Sequence, residues 1–385
     1  MQRRQFLRSA VVGAGAIFGG HLTGSAAAGP KAESSLTDGL TLAHKLPRWR
    51  GFNLMEKILA DSIMRVHADP MPGNQPYREQ DFEWIAELGF NFVRLPMDYH
   101  CWADPDDPYR LREKTLREID QAVEWGRQYG IHVSLNMHYA PGYRVNRTLE
   151  PSLWLDEERQ NLFCHYWTEF AKRYRDIPST QLSFDLVNEP GRIKPGVSVT
   201  EAMCEKLYRK AIAAVRHEDP ARLILIEGPL WSKKPLFAMA DAQVAQSVHC
   251  YQPRVLTHYG AAWIPKGKQR DWPLPAWPTQ YRGQRFDRSW LENTFFGPWK
   301  RLAAKGVAIH VGEWGILDTV PHDIALAWMR DCLEFFQKQG WGWALWNFRG
   351  EHGFGVLDTH RTDVKYENFH GHRLDRKMVE LLRSY

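Results

Sequence analysis

The feature that most constrains the fold is a regular alternation of short apolar runs with longer amphipathic stretches. The apolar runs have the length and composition of buried parallel strands. They lie at 49–54, 91–99, 131–139, 182–190, 223–228, 246–252, 308–315 and 342–350. Stretches with helical periodicity follow them, at 78–88, 112–129, 157–175, 199–217, 233–242, 289–304, 321–339 and 374–383. This α/β alternation predicts a single (β/α)8 TIM barrel.

The main alternative is an open, doubly wound sheet. Such a sheet would more naturally have about five to seven strands and a glycine-rich turn after the first strand. No glycine-rich turn follows the first predicted strand, and no low-complexity linker or repeat divides the rest of the chain. We therefore predict one barrel domain at residues 47–385, preceded by a loose N-terminal arm at 29–46.

The first residues have the pattern of an export signal. Arg3 and Arg4 precede a charge-free run rich in glycine and alanine, and Ala26–Ala28 forms a small-residue cleavage sequence. The pattern resembles a twin-arginine signal, although Gln2 stands where serine or threonine is more usual. We predict a signal peptide at residues 1–28 and a periplasmic or extracellular location. If the signal is retained, it would instead anchor the chain.

Charge and cysteine content narrow the possible partners. Without Arg3, Arg4 and Arg8 of the signal, the 50 Lys and Arg residues become 47, against 45 Asp and Glu. A nearly neutral chain is not expected to bind nucleic acid, and no other stretch approaches the ~18 apolar residues of a membrane span. Five widely spaced cysteines without a CxxC pair favour neither a disulfide scaffold nor a zinc site. We expect a monomer without metal or cofactor.

Two glutamates close predicted strands at what should be the same end of the barrel. Glu189 lies in LVNEP and Glu313 in VGEWG. Barrel strands present catalytic groups at their C-terminal ends, so these two carboxyl groups would share one opening. Glycoside hydrolysis requires such a pair, one acid for the leaving oxygen and one base or nucleophile for the anomeric carbon.

Other polar or aromatic side chains occupy the same strand ends. They are Arg94, His138, Asn188, His249, Tyr251 and Trp346. One polar residue in an apolar strand is more often a satisfied core residue than a catalyst, because burial without a partner is costly. A set of eight, counting both glutamates, at the same end of six strands favours a substrate-binding site.

The segments that carry these residues resemble glycoside hydrolase family 5, a cellulase-like family of retaining barrel glycosidases. In order, they are FVRLP, HYAPG, LVNEP, VHCYQP, VGEWG and WALWNF. An isolated NEP would be weak evidence, whereas six ordered motifs are specific. The resemblance covers roughly residue 47 to the C-terminus. It implies that Glu189 is the acid/base and Glu313 the nucleophile.

A retaining mechanism requires carboxyl groups about 5 Å apart, against ~6.5–9.5 Å for an inverting one. Arg94 and the Tyr251 hydroxyl are the expected partners that keep Glu313 ionised. Asn188 is expected to bond the sugar 2-OH.

His138 and His249 are expected to bind sugar hydroxyls or to orient the acid. Trp346 is expected to lie beneath the sugar ring, with packing across the barrel top as the alternative. The long segment 253–287 carries five aromatic residues that could stack on sugars or pack on one another: Tyr259, Trp263, Trp272, Trp277 and Tyr281.

These observations predict an exported retaining β-glycosidase that acts on an oligo- or polysaccharide. A β-linked glucan is the expected substrate, and endo-β-1,4-glucanase the leading activity. An exo-acting β-glucosidase or a mannanase of the same fold is the alternative within the class. The alternative outside it is a non-catalytic carbohydrate-binding barrel.

Overall fold

The computed structural model describes residues 38–58, 73–350 and 353–385. The predicted signal peptide, the first part of the predicted arm and residues 59–72 lie outside the described residues. Within them, eight parallel strands close into a barrel. The strands are β1 (Arg50–Asn53), β2 (Phe92–Asp98), β3 (His132–Tyr139), β4 (Leu182–Asp185), β5 (Leu223–Glu227), β6 (Ala245–Cys250), β7 (Ile309–Trp314) and β8 (Gly342–Leu345).

The strands follow one another around the barrel in chain order, and β1 pairs with both β2 and β8. Every residue of β2 to β8 is buried, which explains why these strands are apolar along both faces. The predicted single (β/α)8 barrel is confirmed. Strands β4 and β8 are shorter than predicted, because the chain leaves the ladder after Asp185 and Leu345.

Helices cover the outside of the barrel. The longer ones are α1 (Glu79–Glu87), α2 (Glu113–Tyr129), α3 (Glu157–Tyr174), α4 (Glu201–Glu218), α5 (Gly297–Ala303), α6 (His322–Gln339) and α7 (Arg376–Ser384). Short helical turns lie at Asp38–Leu42, Tyr99–Cys101, Arg254–Thr257, Lys266–Gln269, Arg288–Trp290 and Leu291–Phe295. Small antiparallel hairpins pair Arg192–Lys194 with Val197–Ser198, Thr279–Tyr281 with Gln284–Phe286, and Glu367–Phe369 with His372–Leu374.

The segment after β5 differs from the prediction. The prediction of a helix over 233–242 is wrong, because the chain forms a turn at Pro229–Ser232 and a single 3-10 turn at Phe237–Met239. Leu230, Trp231 and Ser232 have φ values of 60°, 59° and 53°, a left-handed conformation that an α-helix does not contain. Pro235 also lacks the backbone N–H that a helix interior requires.

The N-terminal end of the barrel is closed by packing. Residues 38–46, which the sequence assigns to the loose arm, place Leu42, Ala43 and Leu46 in a buried cluster with residues of the barrel base. The Ala308 N–H donates to the Ala43 carbonyl (2.9 Å). The described part of the arm therefore belongs to the barrel base.

All five cysteines are buried and none forms a disulfide. Burial raises the pKa of the Cys101 thiol to about 12 and that of Cys164 to about 11. These thiols are therefore neutral packing groups at physiological pH. In the part of the chain that the structure describes, we find no helix with the length and apolar character needed to cross a bilayer.

Candidate active site

A cavity of about 940 Å³, including its open mouth, lies at the C-terminal ends of the barrel strands. Seven of the eight residues that the sequence singles out line it: His138, Asn188, Glu189, His249, Tyr251, Glu313 and Trp346. The eighth, Arg94, lies beneath the floor and is 1% exposed. The strand ends therefore bring the whole predicted set together.

The two glutamates face one another across this cavity. One carboxylate oxygen of Glu189 lies within 4.8 Å of one of Glu313. Glu189 stands beyond the end of β4 with a φ of 48°, which is uncommon for a residue with a side chain. Its backbone N–H donates to the Glu227 carboxylate (2.7 Å), and its carbonyl accepts from the Tyr143 hydroxyl. These two bonds hold the left-handed backbone in place.

A β-bulge in β7 sets the direction of the Glu313 side chain. The register of β7 against β6 shifts between Val311 and Glu313, and such a bulge re-aims the side chain that follows it. Gly312 occupies the bulge because there is no room for a larger residue. A Cβ atom there would lie 2.2 Å from the Ser247 hydroxyl oxygen.

Arg94 connects residues from four strands beneath the cavity. Its guanidinium donates to the carboxylates of Asp185, Glu227 and Glu313, each at 2.8 Å. It also donates to the side-chain oxygens of Asn53 (3.0 Å) and Asn188 (2.8 Å). All five donor bonds of one guanidinium are thus used, which fixes Glu313 and Asn188 relative to one another.

The other cation of the cluster is His249. Its Nδ1 lies 2.9 Å from Glu189 and 3.6 Å from Glu313, and its Nε2 lies 3.1 Å from Glu227. Burial alone would lower the pKa of His249, but Glu227, Glu313 and Glu189 outweigh it and raise that pKa well above 6.5. The imidazole is therefore protonated and donates toward the carboxylates.

Burial and neighbouring charges shift the pKa values of the buried carboxyl groups in different directions. Burial raises the pKa of Glu313 to about 7, while His249 and Arg94 act in the opposite direction. Burial, followed by repulsion from Glu227, raises the pKa of Asp185 to about 8. For Glu227, burial is outweighed by His249 and Arg94, and its pKa is lowered. Burial therefore favours the protonated form of Asp185, while the two cations favour the ionised form of Glu227.

Further contacts position Glu313 and the cavity wall beside it. The Tyr251 hydroxyl donates to the second Glu313 oxygen (3.1 Å), so the expectation that Arg94 and Tyr251 contact Glu313 is confirmed. The His138 ring stacks on Trp346 at 5.5 Å and 21°, and its Nδ1 lies 3.9 Å from Glu313.

A model of the cellulase family, glycosyl hydrolase family 5, matches residues 61–352. This chain belongs to glycosyl hydrolase family 5. Endoglucanase C of Acetivibrio thermocellus is 27% identical over 312 residues, which are 75% of this chain and 88% of that protein. Cellodextrinase A of Ruminococcus flavefaciens is 27% identical over 271 residues, 68% of this chain and 76% of that protein. A crystal structure of a glycoside hydrolase is 33% identical, with a TM-score of 0.79 over 88% of this chain and 99% of that one.

The family 5 chain is therefore a glycoside hydrolase with a cellulase-like barrel. The expected packing of Trp346 across the barrel top is confirmed, and its contact with a sugar ring stays a prediction. It lines the cavity, and only 5% of it is exposed because it also packs with Met55, Tyr139 and Phe354.

Two aromatic residues of 253–287 occupy different positions, and stacking on a sugar stays a prediction. In this glycosidase Trp263 lines the cavity, edge-on to His258 at 5.8 Å. Trp277 instead packs against the core, and its indole N–H donates to Asp331 of α6 (2.8 Å). One part of the loop therefore serves the cavity and the other is structural.

Several site residues were not identified from the sequence. Asp185 and Asn53 hold Arg94, and Glu227 bridges Arg94, His249 and the Glu189 backbone. The signal was present in β4 and β5, because a lone acid in an apolar strand must find a partner when buried. The cavity also contains Trp231, Lys233 and Arg254, which no strand-end pattern marks.

Glu189, His249 and Glu313 could be read as a metal site, since their donor atoms lie within 4.8 Å of one another. The chemistry of the set does not fit a cation. A protonated His249 offers no lone pair, and the Glu313 oxygens already accept from Arg94 and Tyr251.

Proposed function

We propose that this family 5 enzyme is an exported retaining β-glycosidase that cleaves a β-linked glucan, with endo-β-1,4-glucanase its leading activity. The observation that carries the proposal is the approach of Glu189 and Glu313 to within 4.8 Å. Retaining enzymes place their carboxyl groups about 5–5.5 Å apart, whereas inverting ones leave ~6.5–9.5 Å for a water molecule. The short separation leaves no such space.

In the first step Glu189 gives its proton to the glycosidic oxygen while a Glu313 oxygen attacks the anomeric carbon. The bond to the leaving sugar breaks and a glycosyl-enzyme ester forms. In the second step Glu189 takes a proton from water, whose oxygen attacks the same carbon and releases Glu313. Two inversions at one carbon retain its configuration.

The charges of the cluster suit this division of roles. Arg94 and His249 supply two positive charges that favour the ionised form of Glu313, against the burial that raises its pKa to about 7. Arg94 and Tyr251 direct N–H and O–H groups at the nucleophile.

Asn188 is expected to bond the sugar 2-OH, a contact that strengthens in the oxocarbenium-like transition state. Asn188 lines the cavity, with its amide oxygen held by Arg94 and its amide nitrogen 3.4 Å from the His138 ring. Trp346 lines the cavity and is expected to lie beneath the sugar at the cleavage point.

The relatives support the glucan assignment. One is named an endoglucanase and another a cellodextrinase, so a β-glucan chain is the common theme, and the second name favours shorter chains as the alternative substrate. The sequence of residues 1–28 supports export.

The test is a panel of cellulose, mannan, β-1,3-glucan and cello-oligosaccharides, assayed with product sizes in the medium, periplasm and cytoplasm of an expressing cell. We expect reducing sugar from β-1,4-glucan, with activity outside the cytoplasm. Glu313→Ala should abolish turnover, and azide should then give a product of inverted configuration. Glu189→Ala should keep the first step for substrates with acidic leaving groups.

Glu205→Ala is the matched control, because Glu205 pairs with Arg209 on the outside of α4. It should retain full activity. Binding of glucan without release of reducing sugar would refute the enzymatic proposal. Equal, azide-insensitive losses in the Glu189 and Glu313 variants, with folding intact, would refute the separate roles.

A further inference from the structure

The cavity wall on the Glu189 side carries positive charge that the hydrolytic mechanism does not use. Lys233 and Arg254 both line the cavity. Arg192 lies close by, with its guanidinium 5.5 Å from the centre of the Trp231 ring, while the Lys233 ammonium is 5.1 Å from the same ring. Among the described residues, these three side chains form no ion pair within 4.0 Å. We call Lys233 and Arg254 the cationic wall.

The cations of this region repel one another. Burial lowers the pKa of Lys233, Glu189 acts in the opposite direction, and Arg254 lowers it further. For Arg254 the pattern repeats, with burial and Arg192 lowering the pKa and Glu189 raising it. Lys233 is half-buried, whereas Arg254 and Arg192 are exposed. Like charges gathered at one cavity wall repel one another, and an anion bound among them relieves that repulsion.

Glu189 cannot be that anion throughout the reaction. An acid catalyst must begin protonated, and positive charge next to a carboxyl group works against the protonated form. A negative group on the substrate would pair with the wall and remove that conflict. The charges of the wall are therefore better balanced when an anion is bound than in the free enzyme.

The position of the wall decides which sugar would carry the anion. Trp231, whose ring lies 5.1 Å from the Lys233 ammonium, donates its backbone N–H to the carbonyl of Pro190, the residue after Glu189 (3.2 Å), and the acid/base stands beside the leaving oxygen. The wall therefore faces the leaving-group sugar.

Trp231 provides a surface for that sugar. Its indole N–H donates to Asn146 (3.0 Å), and it lies so close to Gly191 that a Cβ atom there would be 2.8 Å from the indole nitrogen. A ring fixed in this way, between cations, can stack on a sugar while Lys233 or Arg254 bonds its substituent.

We propose that the cationic wall recognises a carboxylate on the leaving-group sugar, so that the preferred substrate is an acidic β-glycan with a uronic acid at that position. The planar fork of Arg254 matches a carboxylate in two parallel hydrogen bonds. This inference rests on the proposed function, because the acid/base role of Glu189 defines the leaving-group side.

The test uses three cello-tetrasaccharides that differ at the reducing-end sugar, which is glucose, glucuronic acid or glucose 6-sulfate. Their hydrolysis gives kcat/KM, and S-linked analogues that resist hydrolysis give Kd by calorimetry. At low salt we expect the glucuronate compound to be favoured about tenfold or more in both quantities, as charge-assisted hydrogen bonds allow. Arg254→Gln and Lys233→Gln should each bring it to within about threefold of the neutral compound.

Arg254→Lys should restore part of the preference. Lys234→Gln is the matched control and should keep all of it, because Lys234 is exposed and pairs with Glu201 (2.6 Å). An equal response to the glucose and glucuronate compounds, or a preference that survives both Gln variants, overturns the inference. A stronger preference for the sulfate ester overturns the carboxylate assignment.

The outcomes separate this inference from the proposed function. Hydrolysis of the neutral tetrasaccharide without a preference refutes the cationic wall alone. A Kd preference for the S-linked glucuronate without hydrolysis of any substrate refutes the proposed function and supports the wall.

Discussion

Replacement of Tyr251 by Phe removes one hydroxyl group and one hydrogen bond to the proposed nucleophile. The hydroxyl donates to a Glu313 oxygen at 3.1 Å, while Arg94 holds the other oxygen at 2.8 Å. A donor stabilises the ionised carboxylate, so its loss must raise the pKa of Glu313. The aromatic ring remains to fill its space.

The distance sets the expected size of the effect. A hydrogen bond to a charged group contributes about 1.5–3 kcal/mol, and 3.1 Å is long for an O–H···O contact, so about 1.5 kcal/mol is appropriate. Since 1.36 kcal/mol corresponds to one pH unit, the titration of Glu313 should move from near pH 7 to near pH 8 (an estimate of about one unit).

The assay is the pH dependence of kcat/KM for dinitrophenyl β-cellobioside, whose leaving group needs no proton from Glu189. The acid limb reports ionisation of the nucleophile in the free enzyme, so it should lie near pH 7 in the wild type. In Tyr251→Phe, kcat/KM should be about tenfold lower on the acid side and should approach the wild-type value at alkaline pH.

Tyr129→Phe is the matched control, because it removes a tyrosine–glutamate bond of 3.0 Å to Glu79 on the outer helices. Its pH profile should match that of the wild type. If Tyr251→Phe reduced kcat/KM by the same factor at every pH, the hydroxyl would not be what keeps Glu313 ionised.

Two further predictions concern stability. Arg222 lies buried near the barrel base and donates to three backbone carbonyls and to Asp219. Arg222→Met should therefore lower the free energy of unfolding, measured by urea denaturation, by about 3–5 kcal/mol, while kcat/KM stays within about twofold of the wild-type value. A matching loss of kcat/KM in fully folded protein would contradict this. The free energy of unfolding should also depend on pH. Folded Asp185 (pKa about 8) and Glu313 (about 7) keep protons that the unfolded chain releases above about pH 4, while buried His132 and His310 (about 3) stay neutral as the unfolded chain takes up protons below about pH 6.5. The two effects oppose one another between about pH 4 and 6.5, so the free energy of unfolding should fall as the pH rises from 6.5 to 8. The free energy of unfolding should fall again below about pH 4, because buried His132 and His310 (pKa about 3) stay neutral while the same residues of the unfolded chain bind protons. A free energy of unfolding that stays constant from pH 3 to 9 in urea denaturation would refute these assignments.

The barrel and the floor of its site could be predicted because they follow from periodicity. Each strand is apolar until its C-terminal end, and closing the barrel collects those ends at one opening. Glu189 and Glu313 were found in this way although they are far apart in sequence. Arg94 was found too, and its contact with Glu313 was expected because a buried carboxylate needs a cation.

The residues that line the cavity walls could not be predicted, because their positions depend on backbone conformations that leave no periodic pattern in the sequence. A helix over 233–242 would have directed Lys233 toward the outside of the barrel. The left-handed turn at Pro229–Ser232 instead places Trp231 and Lys233 in the cavity. Residues with side chains rarely adopt positive φ, so nothing in PLWS marks that turn. The roles of Asp185 and Glu227 could not be predicted for another reason, since only the packed structure shows that one arginine serves three carboxylates.

The arginine beneath the floor has a consequence for how such an enzyme can diversify. Arg94 fastens the reacting groups to one another from below, through Asn53, Asp185, Asn188, Glu227 and Glu313. Trp231, Lys233 and Trp263 approach from above, on separate connections that make no bond to it. Substitutions in those connections can change which polymer binds, while the residues held by Arg94 keep their arrangement.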